Sequence, residues 1–207
     1  MHPVTKSLFA EIIGTFMLTA VVMLGILNPQ FGVPVPVLAA ITLGTLVFTI
    51  GKVSGAHVNP AVTIGLMSVG KIGFLKGGGY IVCQFLGAVL AMELVGRLAM
   101  PMPDLPADLS ELTYLGEILA TAVFTFGIAS VVYNPKSSDI ASSVIIGSSL
   151  LLGIVFSLLG SNGILNPAVA FALNSFTLPY LVGPIIGGLV GFNTYKFLFA
   201  EVQETNN

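Results

Sequence analysis

Fifty-six consecutive positions, from Ile140 to Tyr195, carry no Asp, Glu, Lys or Arg, and a second charge-free run of 40 residues separates Glu11 from Lys52. A helix that crosses a bilayer needs about 20 predominantly apolar residues, so each run holds more than one crossing. The alternative is a single very large soluble core. It fits poorly with a chain that is only 8% charged, because soluble domains carry about 25% charged residues. With 55% hydrophobic residues and a mean hydropathy of +1.00, the composition is that of an integral membrane protein.

Six full spans are expected: about Leu8–Leu27, Val35–Val53, Phe74–Leu98, Leu112–Tyr133, Ile140–Gly160 and Leu178–Phe199. The connections are polar or proline-rich, as in Asn28-Pro29-Gln30, Met100 to Asp108, and Asn134-Pro135-Lys136-Ser137-Ser138-Asp139. None is long enough to be a separate domain, so residues 1–207 read as one transmembrane unit. The first apolar segment is longer than a signal core and carries Glu11, so it is retained as a span. The lone Cys83 rules out an internal disulfide and a cysteine metal cluster, and nothing calls for a metal or another cofactor. A net charge of −2 without a basic run argues against nucleic acid as a partner.

Within this background one tripeptide occurs twice, as Asn59-Pro60-Ala61 and Asn166-Pro167-Ala168, each followed by valine, Val62 and Val169. Composition alone gives roughly 0.05 copies. Asn is a strong helix N-cap, Pro is favoured at the first helical position, and Ala continues a helix well. Each copy is therefore a helix start. Few helical residues follow before a breaker: Val62 to Val69 before Gly70-Lys71, and Val169 to Phe176 before Thr177-Leu178-Pro179. These are half-helices, too short to span.

The halves of the chain match. Ala10-Glu11-Ile12-Ile13-Gly14-Thr15-Phe16 is similar to Gly116-Glu117-Ile118-Leu119-Ala120-Thr121-Ala122. The glutamates lie 106 residues apart and the Asn-Pro-Ala copies 107 apart. Each repeat, about 6–99 and about 111–200, reads as span, span, half-helix, span. Three full spans per repeat is an odd number, so the repeats insert in opposite orientations and their broken helices meet near the midplane. With both termini cytoplasmic, Lys6, Lys52, Lys71, Lys76, Lys136 and Lys196 fall inside and only Arg97 outside. Asp104, Asp108 and Glu111 then fall on the outer face. Glycines within spans, such as Gly87, Gly147, Gly187 and Gly188, allow close helix packing. With no Trp in the chain, Tyr114, Tyr133 and Tyr180 are the candidates for interfacial anchors.

Half-helices entering from opposite sides bring the positive ends of their dipoles together. The Asn59 and Asn166 side chains then offer N–H donors to a passage. A water held by two donors turns its oxygen toward them and its hydrogens up and down the file, which interrupts proton relay, while the dipoles repel cations. This suits uncharged solutes. On these residues the chain resembles the aquaporin, or major intrinsic protein, family. The resemblance covers about residues 6–200 and is most specific at Ser54-Gly55-Ala56-His57-Val58-Asn59-Pro60-Ala61-Val62-Thr63 and at the second Asn-Pro-Ala. It implies an all-α inverted repeat of six transmembrane helices and two re-entrant half-helices, packed as a homotetramer in the cell membrane with one pore per subunit.

The resemblance also implies that Glu11 and Glu117 support the backbone of the re-entrant loops, with a proton-relay role as the alternative. An intramembrane carboxylate is costly and needs partners. His57 matches a structural histidine of the family, with a pH gate as the alternative reading. The outer constriction departs from the family pattern. The position after the second Asn-Pro-Ala, where Arg is usual, is Val169, and no Lys or Arg occurs from residue 140 to 195. The other filter positions, counted back from the motifs, fall at Ala39, Ile154 and Gly163. The set is small and apolar, where water-selective members would carry a bulky aromatic, a His and an Arg. It implies a wider pore for neutral solutes such as glycerol, urea or undissociated metalloid acids beside water. Ala170 departs from the Asp of glycerol facilitators, whereas Leu181 is nearer their type. A loop side chain, Arg97 or Tyr114, folding over the mouth is the competing expectation. Two other classes compete: a secondary transporter, for which only Glu11, Glu93 and Glu117 could hold a coupling ion, and an intramembrane hydrolase pairing His57 with Ser54 or Ser161.

Overall fold

The computed structural model describes residues 2–99 and 109–200. Over these residues the chain runs through α1 (Pro3–Leu27), a 3-10 turn (Pro29–Phe31), α2 (Val35–Ser54), the short α3 (Pro60–Ser68), α4 (Phe74–Leu98), α5 (Glu111–Val132), α6 (Asp139–Ser157), the short α7 (Pro167–Ala172) and α8 (Leu178–Tyr195), which runs into a π-helical turn (Lys196–Ala200). Six helices, counting α8 with its π-turn as one, are long and apolar enough to cross a membrane. They fall where the sequence places six spans. The connection Met100 to Asp108, with Asp104 and Asp108, and the tail Glu201 to Asn207 lie outside the described residues.

Local chemistry sets the ends. Pro3, Pro60 and Pro167 each occupy the first helical position, where the missing N–H costs nothing. His2 accepts from Val4 N–H, so α1 starts five residues before Leu8. Ser110 and Ser138 cap α5 and α6 by accepting from Thr113 and Ala141 N–H. The sixth span's α-geometry stops at Tyr195 rather than Phe199, and the fifth ends at Ser157 rather than Gly160. The larger difference is α7, which stops at Ala172, four residues short of Phe176. Asn174 takes a left-handed φ of 55°, with Asn174 N–H donating to Phe171 O and Ser175 N–H to Ala170 O. That is a Schellman ending with Asn in the usual glycine place. The first half-helix ends the same way, with Gly70 at φ 79°, Gly70 N–H on Met67 O and Lys71 N–H on Leu66 O.

The helices are apolar outward and small or polar inward. On α1 the buried set includes Ser7, Glu11, Gly14, Thr15 and Thr19, while Phe9, Ile13, Met17 and Leu24 are exposed. Small inward residues let backbones approach. A Cβ on Gly87 of α4 would lie 2.9 Å from Phe16 N on α1, and one on Gly187 of α8 would lie 2.7 Å from Thr121 Cβ on α5. The same contact thus recurs in both repeats. Across them, α2 meets α6 where a Cβ on Gly147 would stand 2.6 Å from Ala40 O. The half-helices interlock the repeats: α3 packs on α8 and α7 on α4.

Candidate transmembrane pore

The two Asn-Pro-Ala starts meet head to head. Asn59 caps α3 by accepting from Ala61 N–H at 2.8 Å, and Asn166 caps α7 by accepting from Ala168 N–H at 3.0 Å. Each amide then reaches across to the other repeat: Asn59 Nδ2 donates to Leu165 O at 2.8 Å and Asn166 Nδ2 to Val58 O at 3.0 Å. An amide has two N–H donors, so this reciprocal pair leaves one on each Asn. Both residues line the same cavity of about 270 Å³.

The loops before the starts are shaped alike. Ala56 and Val58 have φ of 48° and 43°, and Gly163 and Leu165 have φ of 68° and 56°. Left-handed backbone is costly for non-glycine residues, most of all for a β-branched Val, and it persists only where neighbours hold it. Two carboxylates do so. Glu11 accepts from His57 N–H at 3.1 Å and Val58 N–H at 2.7 Å, and Glu117 accepts from Ile164 N–H at 3.1 Å and Leu165 N–H at 2.8 Å. Both glutamates are fully buried. Their remaining capacity takes Gln84 Nε2 at 2.8 Å on Glu11 and Ser161 Oγ at 2.8 Å on Glu117. Gln84 also donates to Thr63 Oγ1.

His57 sets its Nδ1 3.1 Å from Thr63 Oγ1 and its ring edge-on to Tyr80, with centroids 5.0 Å apart. The hydrolase pairing is absent from this geometry: Ser54 Oγ accepts from Ala56 N–H and Ser161 is bound to Glu117. The three carboxylates that a coupling ion would need are likewise engaged, since Glu93 pairs with Arg97 at 3.1 Å.

The four positions expected to form the filter, Ala39, Ile154, Gly163 and Val169, all line the 270 Å³ cavity that holds the two Asn side chains, and among the described residues no charged one lines it. Val169 is buried, in the apolar cluster that also includes Met23 and Leu173. Neither Arg97 nor Tyr114 contributes to this cavity. A second cavity of about 360 Å³ opens toward the other end, past Lys52, Lys71 and Asp139. There Lys52 pairs with Asp139 and Lys71 Nζ lies 4.2 Å from the Tyr133 ring centroid.

One sequence expectation needs correction. Tyr180 is not an interfacial anchor: it is 1% exposed, and its hydroxyl accepts from Asn162 N–H beside the second loop. Sequence reading also missed Gln84, Phe124 and Leu43. Leu18 and Phe124 stand 106 residues apart, as Glu11 and Glu117 do, and Leu43 and Leu150 stand 107 apart, as the Asn-Pro-Ala copies do, so following these offsets along whole helices would have marked Phe124 and Leu43.

Comparisons with known proteins agree with this architecture. The family model described as major intrinsic protein matches residues 2–195. Aquaporin Z of Photorhabdus laumondii is 31% identical over 230 residues, covering 96% of this chain and 99% of the relative. A probable glycerol uptake facilitator protein of Thermotoga maritima is 32% identical over 185 residues, covering 74% and 78%. The X-ray structure of the aquaglyceroporin from Plasmodium falciparum superposes with a TM-score of 0.82 at 21% identity, over 98% of this chain and 99% of that one. By motif, helix order and these matches, the chain belongs to the major intrinsic protein family.

Proposed function

We propose that this chain is a passive channel for water and small uncharged solutes, glycerol among them, in which Asn59 and Asn166 supply the central donors. The observation that carries the reading is the reciprocal Asn pair. Each amide is fixed by its own half-helix and by the opposite loop, and each keeps one N–H in a shared cavity that has no charge among its described lining residues. Fixed donors at a dipole-positive midplane favour a neutral, accepting oxygen and disfavour cations. Pro60, Ala61, Pro167 and Ala168 serve as the helix starts that aim these amides. Glu11 and Glu117 serve as struts, with His57 held beside them, and Ala39, Ile154, Gly163 and Val169 form the filter. Because these four are small or apolar, the filter is wide, and urea and undissociated metalloid acids belong to the same solute class. Names of relatives on both the aquaporin and the glycerol side support that breadth.

The chain is multi-pass and integral to the membrane. We further place it in the cell membrane as a homotetramer of single-unit subunits with both termini cytoplasmic, which puts the end with Lys52, Lys71 and Lys196 inside. The test is osmotic light scattering on proteoliposomes. The reading expects water and glycerol to cross faster than in empty liposomes, at a rate indifferent to proton and sodium gradients. A flux that follows an ion gradient would replace the channel with a coupled transporter.

A further inference from the structure

The two cavities share three lining residues: Leu43, His57 and Phe124. These three stand between the two spaces. The division does not fall at Ala39, Ile154, Gly163 and Val169, all of which line one continuous space together with both Asn side chains. Asn59 and Asn166 line that space only, so the division lies on the lysine-bearing side of the amide pair.

The internal repeat explains why it falls on that side. Leu43, His57 and Phe124 correspond to Leu150, Ile164 and Leu18, each 106 or 107 residues away. The corresponding trio lines the first cavity without dividing it. Around the pseudo-twofold axis, then, one end has two leucines and an isoleucine, and the other has a leucine, a phenylalanine and a histidine. The exchange puts two rings where the other repeat has aliphatic chains. Each ring is held: Phe124 is 2% exposed and its Cβ lies close over Gly153 of α6, while His57 is tied to Thr63 and packed on Tyr80. Leu43 is 3% exposed on α2. The collar is therefore built from α2, α5 and the first re-entrant loop, with a single polar side chain on an otherwise apolar rim. A solute crossing such a rim sheds most of its water shell, and apolar constrictions of this kind resist passage by dewetting.

Resting on the channel reading above, we propose that the upper size limit for solutes is set at this Leu43–His57–Phe124 collar, and not at the filter. The filter admits; the collar sorts. Phe124 is the specificity-determining residue, and its replacement by the leucine of the opposite repeat opens the collar.

The test compares wild type, Phe124→Leu, Leu43→Ala and Ile154→Ala in proteoliposomes, with water, glycerol and the four-carbon polyol erythritol as solutes. The expected result is a severalfold rise in the erythritol-to-glycerol permeability ratio in Phe124→Leu and in Leu43→Ala, with Ile154→Ala close to wild type. Unchanged ratios in collar variants that still conduct water overturn the proposal, as does a rise confined to Ile154→Ala. Should Phe124→Leu not assemble, Leu43→Ala on a different helix decides alone. Wild-type protein that passes neither water nor glycerol above empty liposomes would instead remove the channel reading itself, an outcome distinct from an intact channel with an unmoved ratio.

Discussion

Two buried carboxylates hold the loops that lead into the half-helices. Glu11 and Glu117 each hold two consecutive backbone N–H groups of a loop that includes left-handed Val58 or Leu165. Removing an acceptor leaves a buried donor unpaired at about 1–3 kcal/mol per group. Glu117→Ala is accordingly expected to lose about 2–6 kcal/mol, seen as a lower apparent Tm of the detergent-solubilised protein. Glu117→Gln keeps one acceptor and should fall between Ala and wild type. A Tm unchanged in both variants would mean that other contacts hold the loop. The Asn-Pro-Ala copies were legible in the sequence because capping is local chemistry: three adjacent residues contain the whole signal. The glutamates were legible through their common offset. Gln84 was not, since its partners Glu11 and Thr63 lie 73 and 21 residues away, and only the fold brings them together.

At the scale of elements, the half-helices are about 14 and 9 Å long at 1.5 Å per residue, from nine and six residues. They cannot stand without neighbours. Gly65 of α3 faces Phe192 of α8, and a Cβ on Gly188 of α8 would lie 2.7 Å from Ala61 O. Gly188→Val would drive α3 off α8, and overpacking of this kind typically costs about 1–3 kcal/mol. We expect poorly assembled protein and a lower Tm by size-exclusion-coupled thermal melting. Gly78→Ala is the contrast: nothing stands within 4 Å of its Cβ position, and Ala favours the helix by up to about 1 kcal/mol, so α4 should tolerate it or gain stability. Span positions were readable within a few residues because charge and proline mark them. The end of α7 was not, because the left-handed turn at Asn174 depends on where the chain must next enter α8 rather than on a breaker at Thr177.

The whole molecule is a duplicated frame with an asymmetric passage. The frame keeps its twofold pattern in Glu11 and Glu117, in Thr15 and Thr121, and in the crossed bonds of Asn59 and Asn166. The passage breaks the pattern in its lining residues: aliphatic around Val169, aromatic and imidazole rings at Phe124 and His57, then Lys52, Lys71 and Asp139 at the other end. The sequence disclosed the frame through its repeat, and the absent arginine is the basis for the wide filter proposed above. It did not disclose the collar, which is a comparison between repeats in space. Valine at position 169 is what makes the proposed filter wide. The most direct test is stopped-flow light scattering on proteoliposomes of wild type and Val169→Arg, for water and for glycerol. Wild type is expected to pass both, and Val169→Arg to stop glycerol while sparing water. Wild type that passes water alone, or a Val169→Arg channel that passes glycerol as before, would contradict it.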